Sequence, residues 1–347
     1  MSENWHTSLL NSYVSPDELI ETLGLDPSET AAVAEKYPFR ITRHYFELIE
    51  SRNDPVWLQC IPDIQELSAS DQAADPLNES GLSPVPGLIH RYPDRVVLLV
   101  SNVCAVYCRF CMRKRRVGCC PSDYLPPDSF SEAVRYIGDN PAVRDVILSG
   151  GDPLLLEDEQ LEALLSSLRA IPHVEIIRIG TRVPVTLPER ITPALSEILK
   201  RYHPVYVNTH FNHPKEINQA SRYAAALLSD AGIPLGNQTV LLKGVNDDPA
   251  VMKELMRGLL SMRIKPYYLH QMDLVKGTSH FRTSVRSGLK IMESLRGHVS
   301  GLAVPYYVID LPEGKGKVPL LPGQEISADG VLKLRTYTGE VVEYQDI

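Results

Sequence analysis

The sequence of 347 residues lacks long apolar runs, and no window approaches eighteen consecutive apolar residues. It therefore predicts no membrane-spanning helix. The segment from Met1 to Tyr13 has neither a basic stretch nor a continuous apolar stretch, which argues against a secretory signal and for a cytoplasmic protein. Basic residues are also in deficit, because the formal net charge is -8. Such a charge gives no electrostatic footprint for nucleic acid.

The overall composition is that of a globular protein. Hydrophobic residues make up 44% of the chain and charged residues 22%. The length exceeds the usual size of a single domain, so we expect one large α/β domain with appendages, or two domains.

Cysteine is scarce but concentrated. Five of the six cysteines lie between Cys104 and Cys120, and Cys60 stands alone. Crowding of this kind in a large, apparently cytosolic chain favours metal ligation over disulfides. We expect Cys60 to be a core residue, and Cys119 and Cys120 to be incidental loop thiols or, less favourably, a source of a fourth ligand.

Three of these cysteines form a C-x3-C-x2-C motif: Cys104, Cys108 and Cys111. Three thiolates can bind three corners of a four-iron cluster and leave one iron open for a substrate or cofactor. A structural zinc site would need four closed ligands, and no second Cys or His pair lies nearby, so zinc is the weaker interpretation. The basic run from Arg113 to Arg116 follows directly and suggests an anion-binding role, with a solvated turn as the alternative.

Short β-branched runs alternate with amphipathic segments, which is typical of βα units around a parallel sheet. The predicted strands are Val96 to Ser101, Asp145 to Ser149, Val174 to Ile179, Val205 to His210, Asn237 to Leu242 and Pro266 to Gln271. About six units in series suggest a barrel or partial barrel, with a doubly wound open sheet as the alternative.

The flanking regions differ from this core. The first part is predicted to be helix and loop, with helices at Pro16 to Leu23, Ser28 to Lys36 and Ile41 to Ser51. After the units come a buried strand at Val304 to Ile309 and a hairpin around Tyr337-Thr338-Gly339. We predict three segments: 1–90, helical region and connection; 91–303, barrel; 304–347, strand, lysine loop and hairpin.

A glycine pair closes the second predicted strand, in Ser149-Gly150-Gly151-Asp152-Pro153. Such a turn can let exposed backbone N–H groups approach an anionic or zwitterionic ligand. A tight β-turn without a ligand is the alternative.

The run Cys104-Ala-Val-Tyr-Cys108-Arg-Phe-Cys111 resembles the signature of the radical S-adenosylmethionine (SAM) superfamily. The resemblance implies a 4Fe-4S cluster whose open iron chelates the amine and carboxylate of SAM, and reductive cleavage of SAM to a 5'-deoxyadenosyl radical. The turn at Gly150, Gly151 and Asp152 is similar to the GGD-type element that receives the SAM amino group.

A more specific similarity, to the lysine 2,3-aminomutases, runs from about Gly87 to Tyr344. The segments that carry it are His90 to Arg95, Arg182 to Val185, Asn208 to Pro214, Gly236 to Gln238, Pro266 to Tyr268, and Asp310 to Lys317. The resemblance implies a partial (βα)6 TIM-like barrel of the radical SAM type. It also implies pyridoxal 5'-phosphate as a cofactor, and conversion of L-lysine to β-lysine by a radical 1,2-amino shift in which SAM is regenerated.

The resemblance assigns the cofactor-binding residues position by position. Lys317 matches the lysine that bonds to pyridoxal phosphate, although Lys315 would be nearly as good a candidate from the sequence alone. The positions that match the phosphate-binding residues are Arg91, Tyr92 and Arg95. The polar positions that match residues near SAM and the cofactor are Thr181, His210 and Gln238.

Three further positions concern the substrate. Arg113 matches the residue that pairs with the substrate carboxylate, and Asp273 and Asp310 match two carboxylates that receive the distal ammonium of lysine. A buried ammonium needs paired, hydrogen-bonded charge. The glutamate-specific relatives lack this pair of acids, so the resemblance favours lysine over glutamate.

The chain departs from the family pattern at its C-terminal side. Longer members carry a cysteine-rich tail that binds zinc together with a barrel cysteine, whereas this sequence lacks the tail and has no cysteine in the matching helix at Arg222 to Ala225. We expect a short form without zinc. The alternatives are an enzyme that makes β-lysine for elongation factor P, an aminomutase for glutamate or arginine, another radical SAM oxidoreductase or transferase, and a non-catalytic iron-sulfur or zinc protein. The expected partners are an electron donor such as flavodoxin or ferredoxin and a second copy of the chain, but neither nucleic acid nor membrane.

Overall fold

The computed structural model describes residues 4–68, 72–118, 129–321, 324–326, 331–336 and 338–345. Its centre is one sheet of nine strands that follow one another in chain order. The strands are β1 (Leu88–Tyr92), β2 (Arg95–Ser101), β3 (Asp145–Gly150), β4 (Ile176–Gly180), β5 (Val205–Thr209), β6 (Leu235–Leu241), β7 (Ile264–Gln271), β8 (Tyr306–Leu311) and β9 (Gly316–Pro319).

Strands β2 to β8 pair in parallel, while β1 and β9 pair antiparallel at the two edges. A doubly wound sheet reverses its strand order at a switch point, and the order here does not reverse. The predicted partial barrel is therefore confirmed, and each of the six predicted strands falls on one of β2 to β7.

Helices lie between the strands along the chain, and their apolar stripes join the core. Their bounds are α6 (Ser129–Asp139), α7 (Asp158–Arg169), α8 (Val183–Thr186), α9 (Pro193–Arg201), α10 (Gln219–Asp230), α11 (Pro249–Ser261) and α12 (Val285–Leu295). The start of α9 is capped by Thr192, whose side chain accepts the N–H of Leu195, and α11 is capped by Asp248 in the same way. Proline in the first turn supports both starts.

The N-terminal region is built of short helices: α1 (Trp5–Leu10), α2 (Ile20–Leu23), α3 (Pro27–Lys36), α4 (Arg43–Phe46) and α5 (Pro55–Cys60). The predicted helix from Ile41 to Ser51 is wrong in its length, because α4 ends at Phe46. The N–H of Glu50 donates to the carboxylate of Asp54, which also caps α5, so the chain turns here instead of continuing as helix. Cys60 is fully buried, as predicted.

The C-terminal region contributes to two sheets. Strands β8 and β9 extend the barrel sheet beside β7, and β10 (Gln324–Ile326), β11 (Val331–Arg335) and β12 (Val341–Gln345) form a second, antiparallel sheet. The predicted hairpin is β11 with β12, although Tyr337 at its turn lies outside the described residues. The division into three segments stays a prediction. Within the described residues, no helix has the length and apolar character needed to span a membrane.

Candidate functional site: one cavity inside the barrel

A cavity of about 540 Å³ lies within the barrel, and all sixteen predicted site residues line it. Two parts of its wall differ in chemistry. We call the first the cysteine region, defined by Cys104, Cys108, Cys111 and the turn at Gly150 and Gly151. We call the second the lysine region, defined by Arg91, Tyr92, Asp273, Asp310 and Lys317.

The cysteine-bearing loop after β2 is held by backbone hydrogen bonds to the N-terminal region. The N–H of Tyr107 donates to the carbonyl of Arg40 over 3.0 Å, and the N–H of Arg109 donates to the carbonyl of Gln59 over 2.9 Å. Both contacts involve the backbone, so they fix the path of the loop whatever the side chains do. Cys119 and Cys120 lie outside the described residues.

The three cysteine sulfurs are close enough to influence one another. Burial raises the pKa of the Cys104 thiol well above its usual value and that of Cys111 to about 11, and the neighbouring cysteines add to both shifts. Among the described residues, no three His, Cys, Asp or Glu side chains converge as they would on a single ion. In a four-iron cluster each thiolate binds a different iron, so three ligands of such a cluster need not converge on one point.

A buried ion-pair cluster fastens the cysteine loop from outside the barrel. Glu66 is 1% exposed, and its carboxylate accepts two hydrogen bonds from Arg109, at 2.9 and 2.6 Å, and one from Lys114. Burial alone would raise the pKa of Glu66, but the two cations outweigh it and lower the pKa. Lys114 also donates to the carbonyl of Gly277 over 3.1 Å, so three segments meet at this point.

The basic run after the cysteines is therefore mostly paired inside the protein. Besides Lys114, Arg113 donates to Glu79 from Nε and Nη2 and to the Ser149 hydroxyl from Nη1. Arg115 pairs with Asp75 over 2.8 Å. The solvated-turn interpretation is wrong for these three side chains. The carboxylates that receive them come from the connection before the barrel, which sequence reasoning did not assign to the site.

The glycine turn is required by close backbone packing. A Cβ on Gly151 would lie 2.5 Å from the carbonyl oxygen of Val103, and Gly150 has a φ of +117°. The N–H of Gly151 donates to Ser101 and the N–H of Asp152 donates to Val103. The prediction of exposed N–H groups is therefore wrong for Gly151 and Asp152, because the N–H groups of both residues donate within the protein.

Asp152 joins the ends of β3 and β4. Its carboxylate accepts a hydrogen bond of 2.6 Å from the Thr181 hydroxyl and one of 2.7 Å from the N–H of Arg182. Burial raises the pKa of Asp152 in spite of these hydrogen bonds. Beyond it, His210 contacts Asn212, and burial, aided by the charge of Arg182, lowers the pKa of His210 to about 3. His210 is therefore neutral at physiological pH.

In the lysine region, Lys317 and Asp310 face each other across the antiparallel strands β9 and β8. Lys317 Nζ donates to Asp310 Oδ2 over 2.6 Å, and the Lys317 N–H donates to the Tyr92 hydroxyl over 2.9 Å. Lys315, the other sequence candidate, is exposed and pairs with Glu313 over 3.2 Å. Lys317 thus lies in β9 opposite Asp310 and lines the cavity, whereas Lys315 precedes the strand and stays outside the cavity.

The pKa values of the two acids of the lysine region are shifted in opposite directions. Asp310 also accepts from Arg91 Nη2 over 3.1 Å and lies 3.5 Å from His270 Nδ1. Burial acts to raise the pKa of Asp310, but the contacts with His270 and Lys317 outweigh it and lower the pKa. For Asp273, burial and the charge of Asp310 raise the pKa to about 7. Among the described residues, Asp273 has no side-chain ion pair.

Arg91 and Arg95 both lie against the ring of Tyr92, with guanidinium carbons 4.9 and 4.7 Å from its centre. Two tyrosines that sequence reasoning left without a role complete this wall. The pairing of β6 with β7 shifts register between Asn237 and Gln238, so Tyr267 and Tyr268 both line the cavity, with hydroxyls 3.0 Å apart. This wall therefore presents guanidinium and hydroxyl donors.

These features fit the groups that the resemblance implies. Three thiols and a glycine turn lie in one region of the cavity, while a lysine amine and a wall of cationic and hydroxyl donors lie in the other. A buried polar atom without a partner in the described residues, His270 Nε2, lies on a cavity-lining side chain. Such an orphaned group is typical of a ligand site.

Comparisons with known proteins agree with this geometry. A family model described as the radical SAM superfamily matches residues 98–255, and a model described as lysine-2,3-aminomutase matches residues 292–346. An L-lysine 2,3-aminomutase of Fusobacterium nucleatum is 49% identical over 99% of this chain and 82% of its own length. The L-lysine 2,3-aminomutase of Clostridium subterminale is also 49% identical, over 99% of this chain and 84% of its own length.

A relative with a different printed substrate also matches. The glutamate 2,3-aminomutase of Clostridioides difficile is 44% identical over 99% of this chain and 82% of its own length. Because identity at this level extends over nearly the whole chain, the protein belongs to the lysine 2,3-aminomutase family of the radical SAM superfamily.

Proposed function

We propose that this protein is a lysine 2,3-aminomutase, an isomerase that converts L-lysine to β-lysine. The observation that carries the proposal is the pair of carboxylates, Asp273 and Asp310, in the same cavity as the cysteine triplet and Lys317. The relatives named L-lysine 2,3-aminomutase support it. An enzyme that makes β-lysine for elongation factor P would catalyse the same reaction.

Cys104, Cys108 and Cys111 would hold the iron-sulfur cluster that membership of the radical SAM superfamily implies. When bound, the cluster and SAM supply the radical that starts the reaction. The glycine turn would then contribute carbonyl oxygens to the SAM amino group, since the N–H groups of Gly151 and Asp152 are already used. Thr181, His210 and Gln238 line the same cavity and are proposed to complete this pocket.

Lys317 would hold pyridoxal phosphate covalently, and Arg91, Tyr92 and Arg95 would hold its phosphate group. When bound, this cofactor supplies a ring that spreads the unpaired spin of the reacting substrate. The contact of Lys317 with Asp310 keeps the amine in the cavity, and the hydrogen bond from its N–H to Tyr92 fixes the strand that carries it. Guanidinium groups suit a phosphate because they donate in a planar fork.

The substrate would lie between the two regions. Burial acts to lower the pKa of Arg113, but the charges of Glu79, Cys111 and Asp273 raise it, so the guanidinium stays charged and suits the substrate carboxylate. The distal ammonium would then reach Asp273 and Asp310. An arriving cation favours the ionised form of Asp273, whose pKa of about 7 leaves it half protonated near neutral pH without one.

The same two acids argue against glutamate. The side-chain carboxylate of L-glutamate would meet Asp310, which is ionised, and Asp273, and like charges in a buried site repel strongly. L-arginine carries a cation but needs room for a planar group larger than an ammonium. Lysine is therefore the proposed substrate.

The test is anaerobic reconstitution with iron, sulfide, pyridoxal phosphate, SAM and a reductant, followed by chromatography of the products from L-lysine, L-glutamate and L-arginine. We expect β-lysine from L-lysine only, and its loss in Asp273→Asn. The matched control is Asp230→Asn, which removes an exposed carboxylate paired with Arg263 and should leave the rate unchanged. Cleavage of SAM without any β-amino acid would contradict the aminomutase assignment.

An electron donor, assembly with a second copy of the chain and a C-terminal side without zinc stay predictions from the sequence.

A further inference from the structure

Arg182, in the loop after β4, was not assigned any role from the sequence, yet it contacts a cysteine of the proposed cluster site. Its Nη1 donates to the Sγ of Cys108 over 2.7 Å. The side chain lines the cavity and is 7% exposed. Among the charged side chains of the described residues, it is the one with a hydrogen bond to a cysteine sulfur of the motif.

The other guanidinium nitrogens of Arg182 are held by partners on the side away from the sulfur. Nη2 donates to the Tyr45 hydroxyl over 2.8 Å, to Gln59 Oε1 over 2.7 Å and to Glu216 Oε1 over 2.8 Å. Nε donates to the carbonyl of His210 over 3.3 Å. The guanidinium therefore has a fixed orientation with Nη1 directed at Cys108.

The partner carboxylate is itself fixed. Glu216 is fully buried, and its Oε2 accepts the N–H groups of Asn212 and His213 over 2.6 and 3.1 Å. Its Oε1 also accepts from the Tyr45 hydroxyl over 2.8 Å. A buried arginine held by so many groups cannot swing to another acceptor without leaving these groups unpaired, which is costly.

We propose that Arg182 is a positioning residue that donates a hydrogen bond to the Cys108 sulfur of the bound iron-sulfur cluster and thereby raises the reduction potential of the cluster. Hydrogen bonds and nearby positive charge at a cluster sulfur stabilise the added electron. Glu216 does not cancel this effect, because its carboxylate binds Nη2 and is farther from the sulfur than Nη1 is.

The consequence concerns the supply of electrons to the site. A cluster with a higher potential is reduced more readily by a given donor. Arg182 would therefore set how strong a reductant the protein needs, and it would do so from outside the cysteine motif. The proposal rests on the cluster part of the proposed function alone, so it is independent of the identity of the substrate.

The decisive variant is the double substitution Arg182→Gln with Glu216→Gln. Arg182→Gln by itself would leave Glu216 as an uncompensated buried charge, whereas the pair removes both charges together. The measurement is the midpoint potential of the reconstituted cluster, from a redox titration followed by electron paramagnetic resonance. We expect the midpoint potential of the double variant to be more negative than that of the wild type by at least about 59 mV. This shift corresponds to a tenfold change in the equilibrium constant for one-electron reduction.

The matched control is Arg190→Gln. Arg190 is also a buried arginine, but it donates to the carbonyls of Leu154 and Leu156 and does not line the cavity. We expect this control to keep the wild-type potential if it keeps its iron. A comparable shift in the control would mean that the loss of any buried arginine perturbs the cluster, and it would overturn the proposal.

An unchanged potential in the double variant, with a full complement of iron, would equally overturn it. If the double variant holds no iron, Arg182→Lys decides. This variant keeps the cation but loses the planar fork that reaches the sulfur and Glu216 at once. A more negative potential in Arg182→Lys supports the proposal, and the wild-type potential contradicts it. A wild-type protein that binds no cluster would instead contradict the proposed function itself.

Discussion

The cysteine region and the lysine region share one cavity but differ in how their charges are paired. Behind the cysteine region, the buried carboxylate of Glu66 pairs with Arg109 and Lys114 of the cysteine loop, and that of Glu216 pairs with Arg182, which donates to the Cys108 sulfur. In the lysine region, Asp310 has cationic partners, whereas Asp273 has no side-chain ion pair among the described residues.

The difference corresponds to what each region would hold. A cluster would stay bound through every turnover, so ion pairs that hold the loop around it need not open. A substrate must bind and leave, and a carboxylate without a partner is ready for an incoming cation. Under the proposed assignment, the carboxylates that hold the cysteine loop are ion-paired, whereas Asp273, which is proposed to receive the exchanging substrate, has no ionic partner among the described residues.

The largest effect is expected when Lys317, the proposed covalent anchor of the lysine region, is removed. Lys317→Ala should lower β-lysine formation by about 1,000-fold or more and abolish the visible absorbance of covalently bound pyridoxal phosphate, because among the described residues Lys317 is the amine that Asp310 holds in the cavity. Lys315→Ala removes an exposed amine two residues away and should keep both. Retention of the absorbance in Lys317→Ala would place the anchor elsewhere.

The ion pairs that hold the cysteine loop can be removed by a substitution outside the barrel. Glu66→Gln leaves Arg109 and Lys114 without their carboxylate, so we expect the free energy of unfolding of the iron-free protein to fall by about 3–5 kcal/mol. Glu50→Gln, which removes an exposed partner of Lys215, should cost at most about 1 kcal/mol. If chemical denaturation gave the same loss of unfolding free energy for both variants, the buried ion pairs of Glu66 would not stabilise the cysteine loop.

The two acids of the lysine region should respond to substitution with opposite signs. Asp310→Asn should destabilise the ligand-free protein at pH 7 by about 2 kcal/mol, because its lowered pKa marks a carboxylate stabilised by its partners. That stability is present above the unfolded pKa and is lost as the pH falls through the lowered value.

Asp273→Asn should instead stabilise the ligand-free protein. The folded pKa of about 7 lies above the unfolded value of about 3.9, so the wild type loses stability as the pH rises between them. The melting temperature of the variant should therefore exceed that of the wild type at pH 8 and approach it at pH 4. A lower melting temperature at pH 8 would mean that Asp273 has a partner after all.

The smallest effect concerns the pH dependence of substrate binding. Below pH 7 the carboxyl of Asp273 is increasingly protonated, so the affinity for L-lysine should fall by up to about tenfold per pH unit. Titration calorimetry between pH 6 and pH 8 measures this dependence. Asp273→Asn should bind more weakly and show a flatter profile; an unchanged profile would assign the dependence to another group.

The sequence predicted the barrel strands and the residues that line the cavity, because βα periodicity and motif order determine which strand ends carry which side chains. It did not predict contacts between distant segments. Gln59 and Arg182 are 123 positions apart, and Tyr45 and Arg182 are 137 apart, so no local pattern reports that they meet.

Two local features also escaped prediction. The apolar spacing from Ile41 to Ser51 is typical of a helix, but the side chain of Asp54 takes up the N–H of Glu50 and the chain turns. Lys315 and Lys317 look alike in the sequence. They differ because β9 begins at Gly316, so Lys317 pairs with Asp310 in the strand while Lys315 lies in the turn before it.

The most direct test of the account is to follow the nitrogen atom. L-lysine labelled with nitrogen-15 at its α-amino group is incubated with the reconstituted protein, and the product is examined by nuclear magnetic resonance. We predict β-lysine with the label on the β-carbon, because a substrate held as proposed, by Arg113 at one end and by Asp273 and Asp310 at the other, would move its amino group without releasing it. Unlabelled β-lysine, or label in free ammonia, would contradict the account.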